Sequence, residues 1–253
     1  MAWGEVTTPK TAEPEKEISV LLPAHNEALQ IEKCVQEVNR AVSSLSSSYE
    51  IIVSEDGSTD GTETILTGLL STVPNMLLQH SHPRLGKGKA IKNALNSAKG
   101  EIIVFMDIDL ATSLECLPQI VKEVEEHGGL AIGSRHVMGS RVQRRLSRTF
   151  FSLAYNMLVR VLFLDGVHDH QCGFKAMRYD VANAMRGIRS NGFFFDTEMI
   201  LRCKKSGFPV NEVGVEWSEK RARNASKVSL FHDGVRMGLD LLKYRFNPDE
   251  TRP

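Results

Sequence analysis

EIIVFMDID, residues 101–109, is an apolar run that ends on two carboxylates, Asp107 and Asp109. An apolar stretch without polar alternation reads as a strand covered on both faces, which is the condition of central strands in parallel sheets. The same pattern recurs upstream. EISVLLPA (17–24) predicts a strand, and Ile31, Cys34, Val35, Val38, Val42 and Leu45 follow it at helical spacing. EIIVS (50–54) predicts a second strand, whose helix is expected to open at Asp60 with Glu63 three residues on, the spacing of a capping box. MLLQ (76–79) predicts a third strand. The stripe Ala90, Ile91, Ala94, Leu95, Ala98 then predicts a helix closed by Gly100 as C-cap. Beyond the opening segment come a helix around Leu114, Leu117, Ile120, Val121 and Val124, and a fifth strand, LAIGS (130–134).

Strands alternating with helices of this length specify an α/β fold with a doubly wound, mainly parallel sheet, in which ligands bind at the carboxyl ends of the strands. Residues 1–16 read as a loose tail and 17–253 as one domain, with a half of about 17–110 and a second, irregular helical extension of about 111–253. The 253 residues include 31 basic and 31 acidic side chains, so no bulk field points to nucleic acid, and any charged patch must be local. Residues 49–64 carry five acids and no Lys or Arg, whereas residues 133–160 carry six arginines and no acid. The four cysteines lack paired short spacing, and no apolar signal segment opens the chain; both features fit a reducing cytoplasm.

Three polar motifs fall where strands end: PAHNE (23–27), SEDGSTDGT (54–62) and DID (107–109). Each taken singly is also turn or helix-cap chemistry. Asp107 and Asp109, two apart at the end of a buried strand, repel each other by about 3 kcal/mol at ~5 Å and an effective dielectric of ~20, and a divalent cation reverses that sign. Oxygen ligands beside phosphates favour Mg²⁺ or Mn²⁺ over zinc. RLGKGKA (84–90) sets Arg84, Lys87, Lys89 and two glycines at a helix start, where free backbone N–H groups attract an anion; a solvated basic turn reads the same way. It matches neither the P-loop nor the dinucleotide fingerprint. The His80-x-His82 and His168-Asp169-His170 pairs lack a third ligand at metal spacing.

The ordered set PAHNE, EDGSTDGT, LGKGKA, DID, GSR (133–135), DHQCGFK (169–175), FDTE (195–198) and VEWSEK with SKV (215–228) resembles glycosyltransferase family 2. Within it, QCGFK, FDTE and the W-S-E motif are similar to the dolichyl-phosphate glucosyltransferase and mannose synthase branch. The resemblance implies a GT-A (Rossmann-like) fold and an inverting transfer from a nucleotide sugar, UDP-glucose first, with UDP-GlcNAc and GDP-mannose open. The implied acceptor is a polyprenyl or dolichyl phosphate. Residue by residue, it implies that Pro23, Asn26, Glu27, Asp56 and Ser58 hold the nucleoside, with Glu55 in place of the family's first Asp. Asp107 and Asp109 would bind the metal. Arg135, Arg144 and Arg148 match basic positions near the acceptor phosphate, and Gln171, Lys175 and Lys227 match motifs around the sugar and phosphates. Ala111 stands where mannose synthases often have a ligating Gln, which leaves the third metal ligand open.

Residues 150–164 include Asn156 and Arg160 and are shorter than the ~20 apolar residues of a span. Met157 and the aromatics of this segment are expected to pack. Phe231, Val235, Leu239, Leu242 and Phe246 form a second stripe, flanked by Arg236, Lys243 and Arg245, that suits either a core or a lipid surface. A lipid acceptor tips the expectation to peripheral association with the cytoplasmic face of a membrane. Three alternatives stay open: a family 2 enzyme with a sugar-hydroxyl acceptor and Asp196 or Glu198 as base, a nucleotidyltransferase, and a non-catalytic nucleotide-binding module.

Overall fold

The computed structural model describes residues 14–143, 146–219 and 230–247. In chain order the elements are β1 (Lys16–Ala24), α1 (Ile31–Ser43), β2 (Tyr49–Asp56), α2 (Thr62–Leu69), β3 (Met76–Ser81), α3 (Lys87–Ser97) and β4 (Gly100–Met106). A 3₁₀ turn (Leu114–Cys116), α4 (Leu117–His127), β5 (Leu130–Ser134), β6 (Arg141–Gln143), α5 (Leu146–Phe163) and β7 (Phe174–Arg178) follow. The chain continues through α6 (Tyr179–Met185), α7 (Phe195–Lys205), β8 (Val210–Gly214), β9 (Glu216–Ser218) and α8 (Leu230–Phe246).

The main sheet has seven strands in the order β3-β2-β1-β4-β7-β5-β8. Strand order reverses between β1 and β4, the position at which a doubly wound sheet opens a crevice for ligands. The five strands expected from sequence are present, and β5 occupies the predicted 130–134. The unbroken apolar reading of the opening segment holds: Ile102, Ile103, Val104, Phe105 and Met106 are all buried in one core with Leu21, Ile51 and Ile132.

Three local expectations differ. Helix α2 starts at Thr62 rather than Asp60, because the Asp60 carboxylate accepts from the Thr62 N–H and hydroxyl and from the Ala28 N–H, so it ties the β1–α1 loop to the β2–α2 loop. Gly100 is no helix cap. It begins β4, where a Cβ would lie 2.3 Å from the Ser19 nitrogen, so the missing side chain lets β4 pair with β1. β1 begins at Lys16, and the N–H groups of Glu15 and Lys16 donate to the Lys99 carbonyl.

β7 was not legible in the alternation. It is antiparallel between β4 and β5, with Met106 opposite Phe174 and Phe105 opposite Lys175. An antiparallel strand runs its start where its neighbours have their ends. It therefore delivers residues 171–175 to the carboxyl edge of β4.

Helices α5 and α8 pack together on α7 through a second cluster of Val159, Phe194, Leu201, Leu241 and Tyr244, joined by Tyr155, Leu162 and Phe163. The expected stripe of α8 is not the packed one. Leu241 and Tyr244 face the cluster, whereas Val235, Leu239, Leu242 and Phe246 are exposed; the side chain of Phe231, the first residue of that stripe, lies outside the described residues. On α5 the packing expectation fails for Phe150 (70% exposed), Phe151 and Met157 (67%), which face outward with Leu153 and Val161. No helix among the described residues is long and apolar enough to cross a membrane.

Candidate active site

The crevice is walled on one side by the loops after β1 and β2, which hold each other in place. Asn26, at φ 52°, donates its N–H to the Ser58 hydroxyl at 2.8 Å, and its side-chain oxygen accepts from the Thr59 N–H at 2.8 Å. Asn tolerates this left-handed backbone better than most residues. The Glu27 N–H donates to Thr62 Oγ1. Glu55 is fully buried, accepts the Ser58 N–H and pairs with His80 Nδ1 at 2.6 Å, with Glu63 3.6 Å from the same nitrogen. These three are the one group of three metal-type ligands among the described residues, and Asp107 and Asp109 form no such group.

Asp56 is buried. Its carboxylate accepts the backbone N–H groups of Leu85 at 2.6 Å and Gly86 at 2.8 Å, with Arg84 Nε 4.0 Å away, so within the protein it fixes the 84–86 loop. The helix start beyond that loop is less open than the sequence suggested. The N–H groups of Gly88 and Lys89 donate to the Asn191 carbonyl. Gly86 and Gly88 permit this approach, since Cβ atoms there would lie 2.5 Å from Asn191 O and 2.8 Å from Ser190 O. The positive charge at this corner is carried by side chains, Lys87 above all.

The centre of the site is a row of alternating charges. Lys175 is fully buried on β7, with its ammonium 2.5 Å from Asp196 Oδ1 and over the Phe105 ring. Lys87 lies 3.4 Å from Asp196 Oδ2 and 2.9 Å from Asp107 Oδ1. Burial alone would raise the Asp196 carboxyl, but the two ammonium groups outweigh it and hold it below the usual range. Burial lowers and the two carboxylates raise Lys87, with a net shift upward, so it stays charged. Asp107 is pushed up by its pocket and by Asp109 and Asp196, with Lys87 opposing.

Gly173 makes the position of Asp107 available. A Cβ there would stand 1.9 Å from Asp107 Oδ2, and the Gly173 carbonyl accepts the Asp107 N–H at 3.0 Å. Asp107 and Asp109 line one small recess with Ala111, Thr112, Gly173 and Trp217, and Asp109 Oδ1 also accepts the Ala111 N–H. An ammonium already seated on Asp107 and a set of hard carboxylate oxygens both fit a divalent cation at this edge.

Of the expected acceptor arginines, only Arg135 has a described side chain. Arg135 is buried in a bidentate pair with Asp169, at 2.7 and 2.8 Å, and its guanidinium lies over Trp217, so its fork is committed within the protein. Arg144, Lys227 and the side chain of Arg148 lie outside the described residues. Gln171 donates to Thr197 Oγ1 at 2.8 Å. Glu198 accepts the N–H groups of Arg189 and Ser190 and the Arg202 guanidinium, which leaves it no freedom to act as a base. Pro23 pairs with Ser54 at the end of β1. Gly173, Asp169 and Trp217 were missed individually; their signal was their place inside motifs whose other residues drew attention.

A family model for glycosyl transferase family 2 matches residues 19–186. The chain belongs to glycosyl transferase family 2. AglD, a glycosyltransferase of Haloferax volcanii, is 37% identical over 231 residues, 90% of this chain and 36% of that protein. The dolichyl-phosphate beta-glucosyltransferase of Mus musculus is 30% identical over 251 residues (92% and 76%), and that of Dictyostelium discoideum is 28% identical over 244 (90% and 74%). This chain thus spans about a third of AglD and three quarters of the other two relatives. Among solved structures, glucosyl-3-phosphoglycerate synthase from Mycobacterium tuberculosis, crystallised with Mn²⁺, UDP and phosphoglyceric acid, superposes at a TM-score of 0.68. It is 21% identical over 91% of this chain and 78% of its own, a likeness of fold. As a family 2 glycosyltransferase the chain is an enzyme, which sets aside the nucleotidyltransferase and the non-catalytic module.

Proposed function

We propose that this family 2 glycosyltransferase moves a sugar, with UDP-glucose the first donor to test and UDP-GlcNAc and GDP-mannose behind it, onto a polyprenyl phosphate with inversion. The observation that carries the choice of acceptor is the state of the two carboxylates a hydroxyl acceptor would need. Asp196 is held between two ammonium groups and below the usual range, which makes it a poor proton acceptor. Glu198 is saturated by Arg202 and two backbone N–H groups. An acceptor that brings its own negative oxygen needs neither, because a phosphate monoester has its second pKa near 6 and is largely a dianion at pH 7. The names of the relatives from mouse and Dictyostelium support the same class.

In the proposed step a phosphate oxygen of the acceptor attacks the anomeric carbon from the face opposite the leaving group. The bond to the donor's diphosphate breaks with its electron pair, and no proton is transferred. An α-linked donor gives a β-linked lipid phosphosugar. Asp107 and Asp109 are the residues that would hold Mg²⁺ or Mn²⁺, which when bound would offset the charge developing on the diphosphate. Lys87, released from Asp107, is placed to meet the same diphosphate. Asn26, Glu27, Ser58 and Pro23 frame the nucleoside wall, Glu55 and Asp56 shape it, and Arg84 edges it. Lys175 keeps Asp196 ionised beneath Lys87, and Gln171 and Arg135 hold the strand edge. The outward Phe150, Phe151, Leu153, Met157 and Val161 of α5 and Val235, Leu239, Leu242 and Phe246 of α8, beside Arg160 and Arg245, support peripheral contact with the cytoplasmic face of a membrane.

The test is incubation with a panel of labelled nucleotide sugars and a short polyprenyl phosphate, with Mn²⁺ or with EDTA, followed by extraction of the lipid phase. Metal-dependent label in a lipid phosphosugar is expected. No lipid label from any donor, with transfer to a sugar or small hydroxyl acceptor instead, would overturn the proposal.

A further inference from the structure

We propose that Arg189, Arg236 and Lys243 form the seat for the acceptor's phosphate, in the cleft between α8 and the 189–194 segment; the inference rests on the acceptor class proposed above. A cavity of about 700 Å³ opens there, walled also by the 84–87 loop, Phe193, Phe194 and Tyr244. Lys87 belongs to its lining and reaches Asp107 at 2.9 Å, so the cavity runs to the carboxylate edge where the donor's diphosphate is expected. None of the nucleoside-wall residues after β1 and β2 lines it.

The charge balance of the cleft is cationic. Among the described residues its acids are Glu198, already neutralised by Arg202, and Asp240. Arg189, Arg236 and Lys243 have no ion-pair partner among the described residues, unlike Arg135. The segment that presents Arg189 is preorganised. Glu198 takes the N–H groups of Arg189 and Ser190, and the Lys92 ammonium donates to the carbonyls of Ile188 and Arg189 and to Asn191 Oδ1 at 2.6 Å. Fixed donors lose less entropy on binding an anion than mobile ones.

Helix α8 supplies the second argument. Arg236, Asp240, Lys243 and Tyr244, at steps of four, three and one, line the cleft, while Val235, Leu239, Leu242 and Phe246 lie exposed on the adjoining face. One helix thus offers cations to a cavity and hydrocarbon to the outside. A ligand with an anionic head and an apolar tail matches both faces, whereas a nucleotide diphosphate matches only the first.

The experiment uses citronellyl phosphate, a soluble short acceptor that needs no membrane, with the whole chain and the double variant Arg236→Ala, Lys243→Ala. Both side chains are exposed, so folding is retained, as a melting curve checks. By calorimetry the double variant's Kd for citronellyl phosphate should rise about tenfold or more, the effect of losing two charge-assisted contacts. Its Kd for UDP-glucose should stay within about twofold, since the residues lie outside the donor wall. An unchanged acceptor Kd overturns the proposal, and an equal loss of donor affinity gives the cleft to the donor and overturns it too. If the wild type labels polyprenyl phosphate yet the variant keeps its acceptor KM, only this assignment falls. If the wild type neither binds citronellyl phosphate nor labels a lipid, the acceptor class falls with it.

Discussion

Replacing Gly173 by Ala should disable the carboxylate edge without touching a charged residue. The added methyl would lie 1.9 Å from Asp107 Oδ2 and 2.4 Å from its Cγ, where ordinary contact begins near ~3.4 Å. Gly173 carries no positive φ, so Ala has no backbone objection, and β7 is held on both sides by β4 and β5. The Asp107 side chain is the part that yields, by roughly 1–1.5 Å if contact is to be restored. A displacement of ~1 Å in a reacting constellation can lower turnover about 10²-fold. Loss of one supporting contact around a metal ligand weakens affinity by ~10–100-fold. Gly173→Ala should therefore reduce kcat by about two orders of magnitude and weaken Mn²⁺ binding in parallel. The assay pairs initial rates over a Mn²⁺ titration with a melting curve. Wild-type rates and Mn²⁺ affinity in a folded Gly173→Ala protein would refute the placement of Asp107 in the site.

Lys87→Met removes the ammonium that occupies Asp107. Two unit charges 2.9 Å apart attract by up to ~6 kcal/mol at an effective dielectric of ~20, so even a small fraction, ~1.4 kcal/mol, should raise donor-free Mn²⁺ affinity about tenfold while donor affinity falls. Calorimetry with the metal alone reads the first effect. Asp196→Asn leaves the fully buried Lys175 without its carboxylate and should destabilise the fold by about 3–5 kcal/mol at pH 7 in urea titrations. Asp196 is depressed in the folded state, so its stabilisation is complete above the unfolded value of ~3.9 and is lost as pH falls through the folded value. The gap between wild type and Asp196→Asn should accordingly narrow in acid. Asp109→Asn should lose most activity and stay folded, and EDTA should abolish activity in the wild type; activity retained in either case removes the metal assignment.

β1, β2 and β4 were legible because each is a continuous apolar run closed by a polar motif, and burial on both faces forces that pattern; β3, at the sheet edge, is half-exposed and showed only the short run MLLQ. β7 was not legible, since FKAMR interrupts its apolar run with Lys175, a charge that is affordable inside only because Asp196, 21 residues later, meets it. That pairing is a tertiary fact. The same holds for Asp56 and Arg135, whose residue types suggested ligand contacts but whose partners, the Leu85 and Gly86 N–H groups and the Asp169 carboxylate, lie about 30 residues away. On α8 the hydrophobic stripe was read correctly as a stripe and could not be assigned to core or surface. Leu241 and Tyr244, lying beside it, make the packing contacts instead.

The central claim is that the acceptor supplies the negative oxygen, and it is tested most directly by comparing kcat/KM for a polyprenyl phosphate with that for the matching free polyprenol. Both are measured on the wild-type protein with the same donor and metal. With Asp196 held ionised between Lys87 and Lys175 and Glu198 saturated, the phosphate should be preferred by at least ~10², the lower end of what a general base contributes. Transfer to the free polyprenol at an equal or higher kcat/KM would contradict the account.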